Sequence, residues 1–451
     1  MYENAMGSGL SAPEDGPPSS PGTGTGGTGP LARRPWKGVH DVGQLQTEVE
    51  ATDVGLCPER LERIEQHFAE YVTDGRLPGW LVLIARHGKI AHLRTHGMRD
   101  LEAGLPVETD TIFRIYSMSK PVTSVAAMML YERGLLELTD PVAEYLPEFD
   151  QPRVYTGGSA AAAQTRPATE PIRIWHLLTH TAGLTYGFHR IHPVDQMYRD
   201  QGFENGYPEG LDLAGACAAW ARLPLLFDPG DAWNYSVATD VLGRVVEVVS
   251  GSTLDEFFRG NIFEPLDMRD TDFAVAESEQ DRLAALYSVD RNRRAVRNER
   301  LNRVGTELPH VLSGGGGLVS SARDYHRFTQ MLLGGGTLDG NRLLSNRTVG
   351  FMTRNHLPGG ADLADMAMGS FSEVTNAGKG FGLGFSVNDR PQASKVLSSQ
   401  GQYAWGGMAS TAFWVDPAED LTVLFLTQLM PSSVHPIRTR LQALVYQALV
   451  D

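Results

Sequence analysis

The stretch that decides the fold is Tyr116-Ser117-Met118-Ser119-Lys120, where a serine and a lysine stand three residues apart at the start of a predicted helix. Residues at this spacing share one helix face, so the Ser117 hydroxyl and the Lys120 amine are expected to meet. A serine hydroxyl is a weak nucleophile that needs a neighbouring base, and a lysine with a lowered pKa can serve. Alone the pattern is weak, because an N-cap serine followed by a solvated lysine has the same spacing.

Two later segments carry further candidate chemistry. Trp233–Val237 (WNYSV) contains Tyr235, whose hydroxyl can shuttle a proton beside a cation. Tyr403–Ala409 (YAWGGMA) places two glycines at the start of a predicted strand, where a ligand can approach the backbone. A backbone N–H there can complete an oxyanion hole with the Ser117 N–H. Taken singly, the first segment is typical of a core aromatic and the second of a bulge.

In this order and spacing, the three segments resemble the serine β-lactamase and DD-peptidase superfamily. Two phrases between them match it as well, His176–Leu184 (HLLTHTAGL) and Gly316–Asp324 (GGLVSSARD). The resemblance covers the chain from Pro58 to Asp451. It implies an α+β, β-lactamase/transpeptidase-like fold, in which an antiparallel sheet is flanked by N- and C-terminal helices and joined by a helical lobe.

Departures from the family motifs indicate the reaction. Class C β-lactamases have Tyr-x-Asn where this chain has Val237, and Lys-Thr-Gly or His-Thr-Gly where it has Trp405-Gly406-Gly407. Replacing a cation with an indole removes charge-assisted binding of the carboxylate that a β-lactam carries. Tyr-Ser-Val with Trp-Gly-Gly is similar to the family VIII carboxylesterases and to related fungal acyltransferases. The G-x-S-x-G elbow of α/β-hydrolases is absent from the sequence.

The resemblance implies acyl transfer in two steps with the catalytic residues Ser117, Lys120 and Tyr235. Ser117 attacks an ester carbonyl, and Lys120 and Tyr235 take and relay the proton. The N–H groups of Ser117 and Met408 stabilise the oxyanion, and Trp405 forms an apolar wall that suits uncharged esters. The candidate residues for binding the oxyanion and the substrate are Ser117, Trp405, Gly406, Gly407 and Met408, and the candidate pocket-lining residues are Tyr116, Trp233, Val237 and Tyr403.

We therefore expect a serine hydrolase that cleaves carboxylic esters of short acyl chains, with a small-molecule ester as its partner and without a cofactor. The alternatives are β-lactamase, D-amino-acid peptidase or amidase activity, and acyl transfer to an alcohol acceptor. Ester and amide hydrolysis share one acyl-enzyme, so the sequence separates them poorly. A non-catalytic binding protein is the weakest alternative, because it has no need of the serine, lysine and tyrosine together.

Other polar candidates have simpler interpretations. His180 is expected to make a structural hydrogen bond rather than act as a base. His189 and His192 lie in a polar segment without an H-E-x-x-H pattern, so no metal site is expected. The two cysteines, Cys57 and Cys217, exclude a disulfide framework, and Cys217 is expected to be buried and inert.

Composition and charge indicate the expected domain organisation, partners and cellular compartment. Lys and Arg total 39 against 54 Asp and Glu, and this net charge of −15 disfavours nucleic acid as a partner. Residues 1–38, rich in Gly, Pro, Ser and Thr, are expected to be a disordered tail. Residues 39–451 are expected to form one hydrolase domain, with an α/β lobe over about 55–115 and 310–451 and a helical lobe over about 116–309. Without an apolar run long enough to span a bilayer or a visible secretory signal, a cytoplasmic protein is expected, of unspecified oligomeric state.

Several local elements follow from periodicity. Residues 58–72 are predicted to be a helix, and residues 80–84 and 90–95 a hairpin. Residues 157–169 are predicted to be a loop, and residues 185–210 a loop over the cleft. The C-terminal part is predicted to hold strands at 382–387, 396–402, 409–415 and 422–428, followed by a helix at 437–449.

Overall fold

An eight-stranded antiparallel sheet forms the centre of the structure, a computed structural model that describes residues 45–204, 206–368 and 377–450. The predicted tail, residues 1–38, lies outside the described residues. The strands in chain order are β1 (Gly79–Arg86), β2 (Lys89–Asp100), β3 (Leu105–Pro106), β4 (Ile112–Arg114), β5 (Arg153–Ser159), β6 (Ala162–Pro167), β7 (Tyr287–Val289), β8 (Ala295–Arg297), β9 (Val319–Ser321), β10 (Thr337–Leu338), β11 (Asn341–Arg342), β12 (Lys379–Phe381), β13 (Ser386–Asn388), β14 (Tyr403–Gly406), β15 (Ala412–Asp416), β16 (Leu421–Leu426) and β17 (Leu429–Met430). The α-helices are α1 (Pro58–Thr73), α2 (Ser119–Glu132), α3 (Ile174–Thr179), α4 (Pro193–Asp200), α5 (Leu213–Ala221), α6 (Ala238–Ser250), α7 (Leu254–Phe258), α8 (Ala322–Leu333), α9 (Asn346–Met352), α10 (Leu363–Met366), α11 (Pro391–Ser394) and α12 (Ile437–Tyr446).

The order of the strands in the main sheet is β12-β13-β14-β15-β16-β1-β2-β3. Strand β1 (GWLVLIAR) is apolar at nearly every position because both of its faces are covered. Its register with β16 pairs Leu83 with Leu424. The first and last helices, α1 and α12, pack on one face, and α8 packs on the other, where the Tyr325 and Phe413 rings lie 5.2 Å apart. The first and last of the described α-helices therefore meet on one face of the sheet.

The apolar positions predicted for α1 are those that reach the core. Leu61, Ile64 and Phe68 are almost fully buried, at the three- and four-residue spacing of one helix face. Phe68 also accepts, through its backbone carbonyl, a 3.1 Å hydrogen bond from the Trp80 indole of β1. The helix and the first strand of the sheet are thus joined by packing and by a buried polar contact.

The chain between β4 and β9 contains the helices α2–α7 and the short strands β5–β8, and α2 packs among these helices. Residues Ser119–Leu130 of α2 are all buried, and α2 packs along α6. Strand β4, which leads into α2, pairs antiparallel with β9, with Phe113 opposite Ser320. The start of α2 therefore lies where the helices meet the strands, between β4 and β9 on one side and α6 on the other.

Four local predictions were wrong. The strand predicted at 382–387 spans the turn between β12, which ends at Phe381, and β13, which begins at Ser386. Residues 157–169 belong largely to the β5–β6 hairpin, in which Ser159 pairs with Ala162 and Gly158 has a left-handed φ of 94°, where a Cβ would lie 2.2 Å from the Ala162 carbonyl oxygen. The segment 185–210 contains α4, which begins at Pro193 with a capping box between His192 and Asp195. No strand lies at 396–402 in the described structure, where β14 begins only at Tyr403.

Among the described residues, none of the helices combines the length and the apolar composition that crossing a bilayer requires.

Candidate active site

Ser117 lies on a tight turn between β4 and α2. The turn spans Tyr116–Met118, and Tyr116 has a left-handed φ of 45°, which is strained for a residue with a side chain. Two hydrogen bonds hold the strained turn: Ser119 Oγ donates to the Tyr116 carbonyl (2.7 Å) and accepts from the Leu318 N–H (3.1 Å). The Ser117 hydroxyl is therefore presented by a rigid, partly exposed turn at the end of a buried helix.

Lys120 is buried, and the contacts of its Nζ include three oxygen acceptors. The acceptors are Ser117 Oγ at 3.5 Å, the Tyr186 hydroxyl at 3.1 Å and the Gly315 carbonyl at 2.6 Å. The predicted contact between Ser117 and Lys120 is thus present, at the long end of the hydrogen-bond range. Catalytic hydrogen bonds are often long before substrate binds and shorten in the complex.

Tyr235 lies beside the same amine, with its ring centroid 4.5 Å from Lys120 Nζ. The ring packs against those of His180 (4.9 Å), Tyr186 (5.4 Å) and Trp405 (5.4 Å). A cation over an aromatic face is attracted by the ring quadrupole. Serine, lysine and tyrosine, which are far apart in sequence, are therefore brought to one place.

Sequence reasoning missed Tyr186, which follows the matched phrase His176–Leu184 by two residues. Burial and the nearby carboxylate of Asp240 raise the pKa of Tyr186 well above its ordinary value, so the hydroxyl stays neutral and can accept from the lysine. The segment that carries it is held by Asp195, which accepts from Thr185 Oγ1 (2.8 Å) and from the N–H groups of Ile191 (3.0 Å) and His192 (2.9 Å). The only signal in the sequence was a tyrosine two residues after the phrase.

Asp240 was also missed, because its function depends on a distant glycine turn. Its carboxylate is buried and accepts from Ser313 Oγ (2.5 Å) and from the Gly315 N–H (3.0 Å). A Cβ on Gly315 would lie 2.5 Å from this carboxylate, so only glycine fits there. The carboxylate thus fixes the turn whose carbonyl accepts from Lys120.

The Trp405–Met408 segment forms the other side of the site. The Gly407 N–H donates to the Thr411 carbonyl (2.9 Å), so it is not available to an oxyanion. Within the described ranges, the N–H groups of Ser117 and Met408 donate to no protein acceptor. A Cβ on Gly407 would lie 2.5 Å from the Ile115 carbonyl oxygen, so this turn packs directly against the segment leading to Ser117.

A family model described as Beta-lactamase matches residues 64–447. The chain belongs to the Beta-lactamase family. Protein Rv1367c of Mycobacterium tuberculosis is 37% identical over 365 residues, covering 80% of this chain and 88% of that protein. Esterase EstB of Burkholderia gladioli is 33% identical over 411 residues, covering 85% and 94%. A solved structure, that of EstCE1, "a hydrolase with promiscuous acyltransferase activity", has a TM-score of 0.72 at 29% identity and covers 86% of this chain and 99% of that one.

These matches confirm the α+β, β-lactamase-like fold and an enzyme of the serine hydrolase type, and the EstB relative supports an ester-hydrolysing member of the family. The candidate pocket-lining residues of this β-lactamase-family enzyme have different surroundings. Trp233 stacks on Tyr235, with ring centroids 6.2 Å apart. Tyr403 packs on Phe385 (5.2 Å), and Val237 is buried at the start of α6, so packing accounts for both. Burial raises the pKa of Tyr116 to about 12.

Trp405 belongs to an aromatic cluster, whose other members are His180, Trp233, Tyr235 and Phe381. Its ring lies 5.4 Å from that of Phe381, a β12 residue that sequence reasoning did not single out. Its indole N–H is buried with no partner in the described part of the chain. The predicted apolar wall is therefore backed by other rings and presents little charge to a substrate.

His180 lies inside this cluster, with Nδ1 3.3 Å from Ser236 Oγ. Burial, and then the charge of Lys120, lower its pKa well below the ordinary value, so it is neutral. His189 Nε2 lies 2.6 Å from the Tyr235 carbonyl, and the His192 side chain accepts from the Val194 N–H at the start of α4. No group of three or more metal-ligating side chains occurs among the residues that the structure describes.

Proposed function

We propose that this enzyme hydrolyses small, uncharged carboxylic esters of short acyl chains through an acyl-enzyme on Ser117. The observation that carries the proposal is the set of three contacts made by Lys120 Nζ, with Ser117, Tyr186 and Gly315. The Tyr186 oxygen and the Gly315 carbonyl hold Nζ beside the Ser117 hydroxyl, where the amine, once it has given up a proton of its own, accepts the proton of that hydroxyl.

In acylation, Ser117 Oγ forms a bond to the ester carbonyl carbon while its proton passes to Lys120. The carbonyl oxygen gains the negative charge and takes hydrogen bonds from the N–H groups of Ser117 and Met408. Collapse of the tetrahedral intermediate breaks the bond to the alkoxide. Tyr235 donates its proton to that alkoxide and regains one from the protonated Lys120.

In deacylation, a water molecule takes the place of the alcohol. Water attacks the acyl carbon as its proton passes to Tyr235, whose own proton moves to Lys120. Lys120 then protonates the Ser117 oxygen as it leaves. The same groups act in reverse, as microscopic reversibility requires, and the free acid is released.

The aromatic side chains that line the site favour uncharged substrates. Trp405 stands where related β-lactamases carry a cation, and the Tyr235 ring and Phe381 surround it. A carboxylate placed against these rings would lose its hydration without the cation that the family motif supplies at this position. Compact acyl and alcohol groups fit an aromatic wall better than a charged, extended antibiotic does.

Acyl transfer to an alcohol is the second candidate, favoured by the similarity to EstCE1, whose description includes promiscuous acyltransferase activity. Transfer and hydrolysis share the acyl-enzyme and differ only in whether an alcohol or water attacks it. Adding a short alcohol during ester turnover and measuring the new ester against the free acid separates the two outcomes.

The test of the main proposal is turnover of p-nitrophenyl acetate and butyrate beside a chromogenic cephalosporin. We expect ester hydrolysis that Ser117→Ala abolishes and little turnover of the cephalosporin. Ser278→Ala, an exposed serine, is the matched control and should retain wild-type rates. Equal ester turnover by wild type and Ser117→Ala would overturn the proposal, and faster turnover of the cephalosporin would assign β-lactamase activity instead.

A further inference from the structure

The space behind the Trp405–Met408 turn is filled by a charged side chain of α12. A Cβ on Gly406 would lie 2.2 Å from Nη2 and 2.4 Å from Cζ of Arg438. The same Nη2 donates to the carbonyls of Gly407 (3.0 Å) and Thr411 (2.9 Å). Because two carbonyls hold the guanidinium in place, a methyl group at position 406 would have to break these bonds to fit.

The peptide group that Arg438 binds is the one that carries the proposed oxyanion donor. The Gly407 carbonyl and the Met408 N–H belong to one trans peptide, in which they point in opposite directions. A guanidinium fixed on the carbonyl therefore fixes the direction of the N–H. A charged donor on the carbonyl also polarises the peptide and strengthens its N–H as a donor.

We propose that Arg438 is the positioning residue of the oxyanion hole. It holds and polarises the Gly407–Met408 peptide so that the Met408 N–H meets the oxyanion, and position 406 is glycine because Arg438 occupies the place of its side chain. The inference rests on the proposed esterase function of Ser117. Arg438 touches no substrate and acts only through the peptide.

The test is a double-mutant cycle of Gly406→Ala, Arg438→Ala and the combined variant, with p-nitrophenyl butyrate as substrate. Loss of a whole oxyanion donor costs about 10²–10³-fold in kcat, so a misdirected donor should cost about 10- to 100-fold. Each single variant should show this loss with KM changed less than about threefold, since the interaction is made in the transition state. The combined variant should be no slower than Arg438→Ala, because removing the guanidinium makes room for the methyl group.

Matched controls separate positioning from general damage. Arg440→Ala removes an exposed arginine from the same helix, and Gly350→Ala adds a methyl group where no atom lies within 4 Å. Both should leave kcat unchanged. Guanidinium at millimolar concentration should restore part of the kcat of Arg438→Ala and nothing to Arg440→Ala. Where Arg438→Ala does not fold, Arg438→Lys gives the test, since the lysine side chain is shorter and lacks the planar guanidinium that places Nη2 between both carbonyls.

A readout independent of turnover distinguishes this inference from the proposed function. In protein labelled with ¹⁵N-methionine, the Met408 amide resonance should move in Arg438→Ala and return on addition of guanidinium. If the esterase proposal fails, wild type and Ser117→Ala turn over the ester equally, whatever this resonance does. If the inference fails, wild type shows Ser117-dependent turnover, while Arg438→Ala keeps full kcat and an unmoved resonance, or the two substitutions add independently.

Discussion

Two of the regions that reach the Lys120 amine are built in different ways. Ser117 is one helical turn from Lys120, at the start of a helix that is buried along residues Ser119–Leu130. Tyr186 arrives from an irregular segment, which is held in place by three hydrogen bonds to the single carboxylate of Asp195. The first contact follows from local helix geometry, whereas the second exists only in the folded chain. The start of α2 with Ser117, called the helix side, should therefore tolerate perturbation. The segment that carries Tyr186, called the loop side, should depend on the Asp195 carboxylate.

The sharpest test of the helix side is Lys120→Met, which keeps the length of the side chain and removes the base. A general base contributes about 10²–10⁴-fold to the rate, so kcat for p-nitrophenyl butyrate should fall within this range. Thermal unfolding should change little, because α2 is buried along its length by other side chains. Retention of wild-type kcat would show that the amine is not the base.

Replacing Asp195 should disrupt the loop side. Asp195→Ala leaves the Thr185 hydroxyl and two backbone N–H groups without their acceptor, and each buried orphan costs about 1–3 kcal/mol. We expect kcat to fall about tenfold or more through displacement of Tyr186, while the Ser117 segment stays ordered. Hydrogen exchange measured over the two segments checks this, with the exposed carboxylate Asp53 changed to Ala as the control. Equal loss of protection in both segments would contradict two separately built regions.

The two tyrosines give a finer comparison. Tyr235→Phe removes the proposed proton donor to the leaving alkoxide, so its effect should grow as the leaving group becomes more basic. Tyr186→Phe removes only an acceptor from the lysine and should lower kcat by a similar factor for every ester. Ethyl and p-nitrophenyl esters of one acid distinguish the two. The reverse pattern would exchange the functions of Tyr186 and Tyr235.

Acid should loosen the loop side before the helix side. Burial lowers the pKa of His176 to about 4 and that of His180 well below its ordinary value. Because an opened segment regains ordinary histidine pKa values near 6.5, it binds more protons than the closed one as pH falls below that value. The stabilisation is therefore complete above pH 6.5 and is lost progressively as pH falls toward about 4.

The measurement is hydrogen exchange at pH 7 and pH 5, corrected for the intrinsic rates. Residues 174–190 should lose protection at pH 5, and residues 119–132, which contain no histidine, should keep theirs. His176→Gln should reduce the pH dependence, while His310→Gln, at an exposed histidine, should not. Equal losses in both segments would remove the histidines as the cause.

The same contrast explains how much of this site could be predicted from the sequence. The motifs at Ser117 and Tyr235 identified the family, because their spacing within a helix and their order along the chain are fixed. Tyr186, Asp240 and Arg438 act through contacts with residues more than 30 positions away, and no local pattern marks them. The β5–β6 hairpin was missed for a related reason, since its small polar residues have the composition of a loop and become strands only by pairing.

The central claim, a covalent intermediate on Ser117, is tested most directly by mass spectrometry of enzyme quenched during turnover of p-nitrophenyl butyrate. Tyr235→Phe is included because p-nitrophenolate leaves without a proton, so loss of Tyr235 should slow deacylation more than acylation and let the intermediate accumulate. We predict a mass increase of one butyryl group on the peptide that contains Ser117, and none in Ser117→Ala. An acyl group on another residue, or turnover with no acylated peptide in either protein, would contradict the claim.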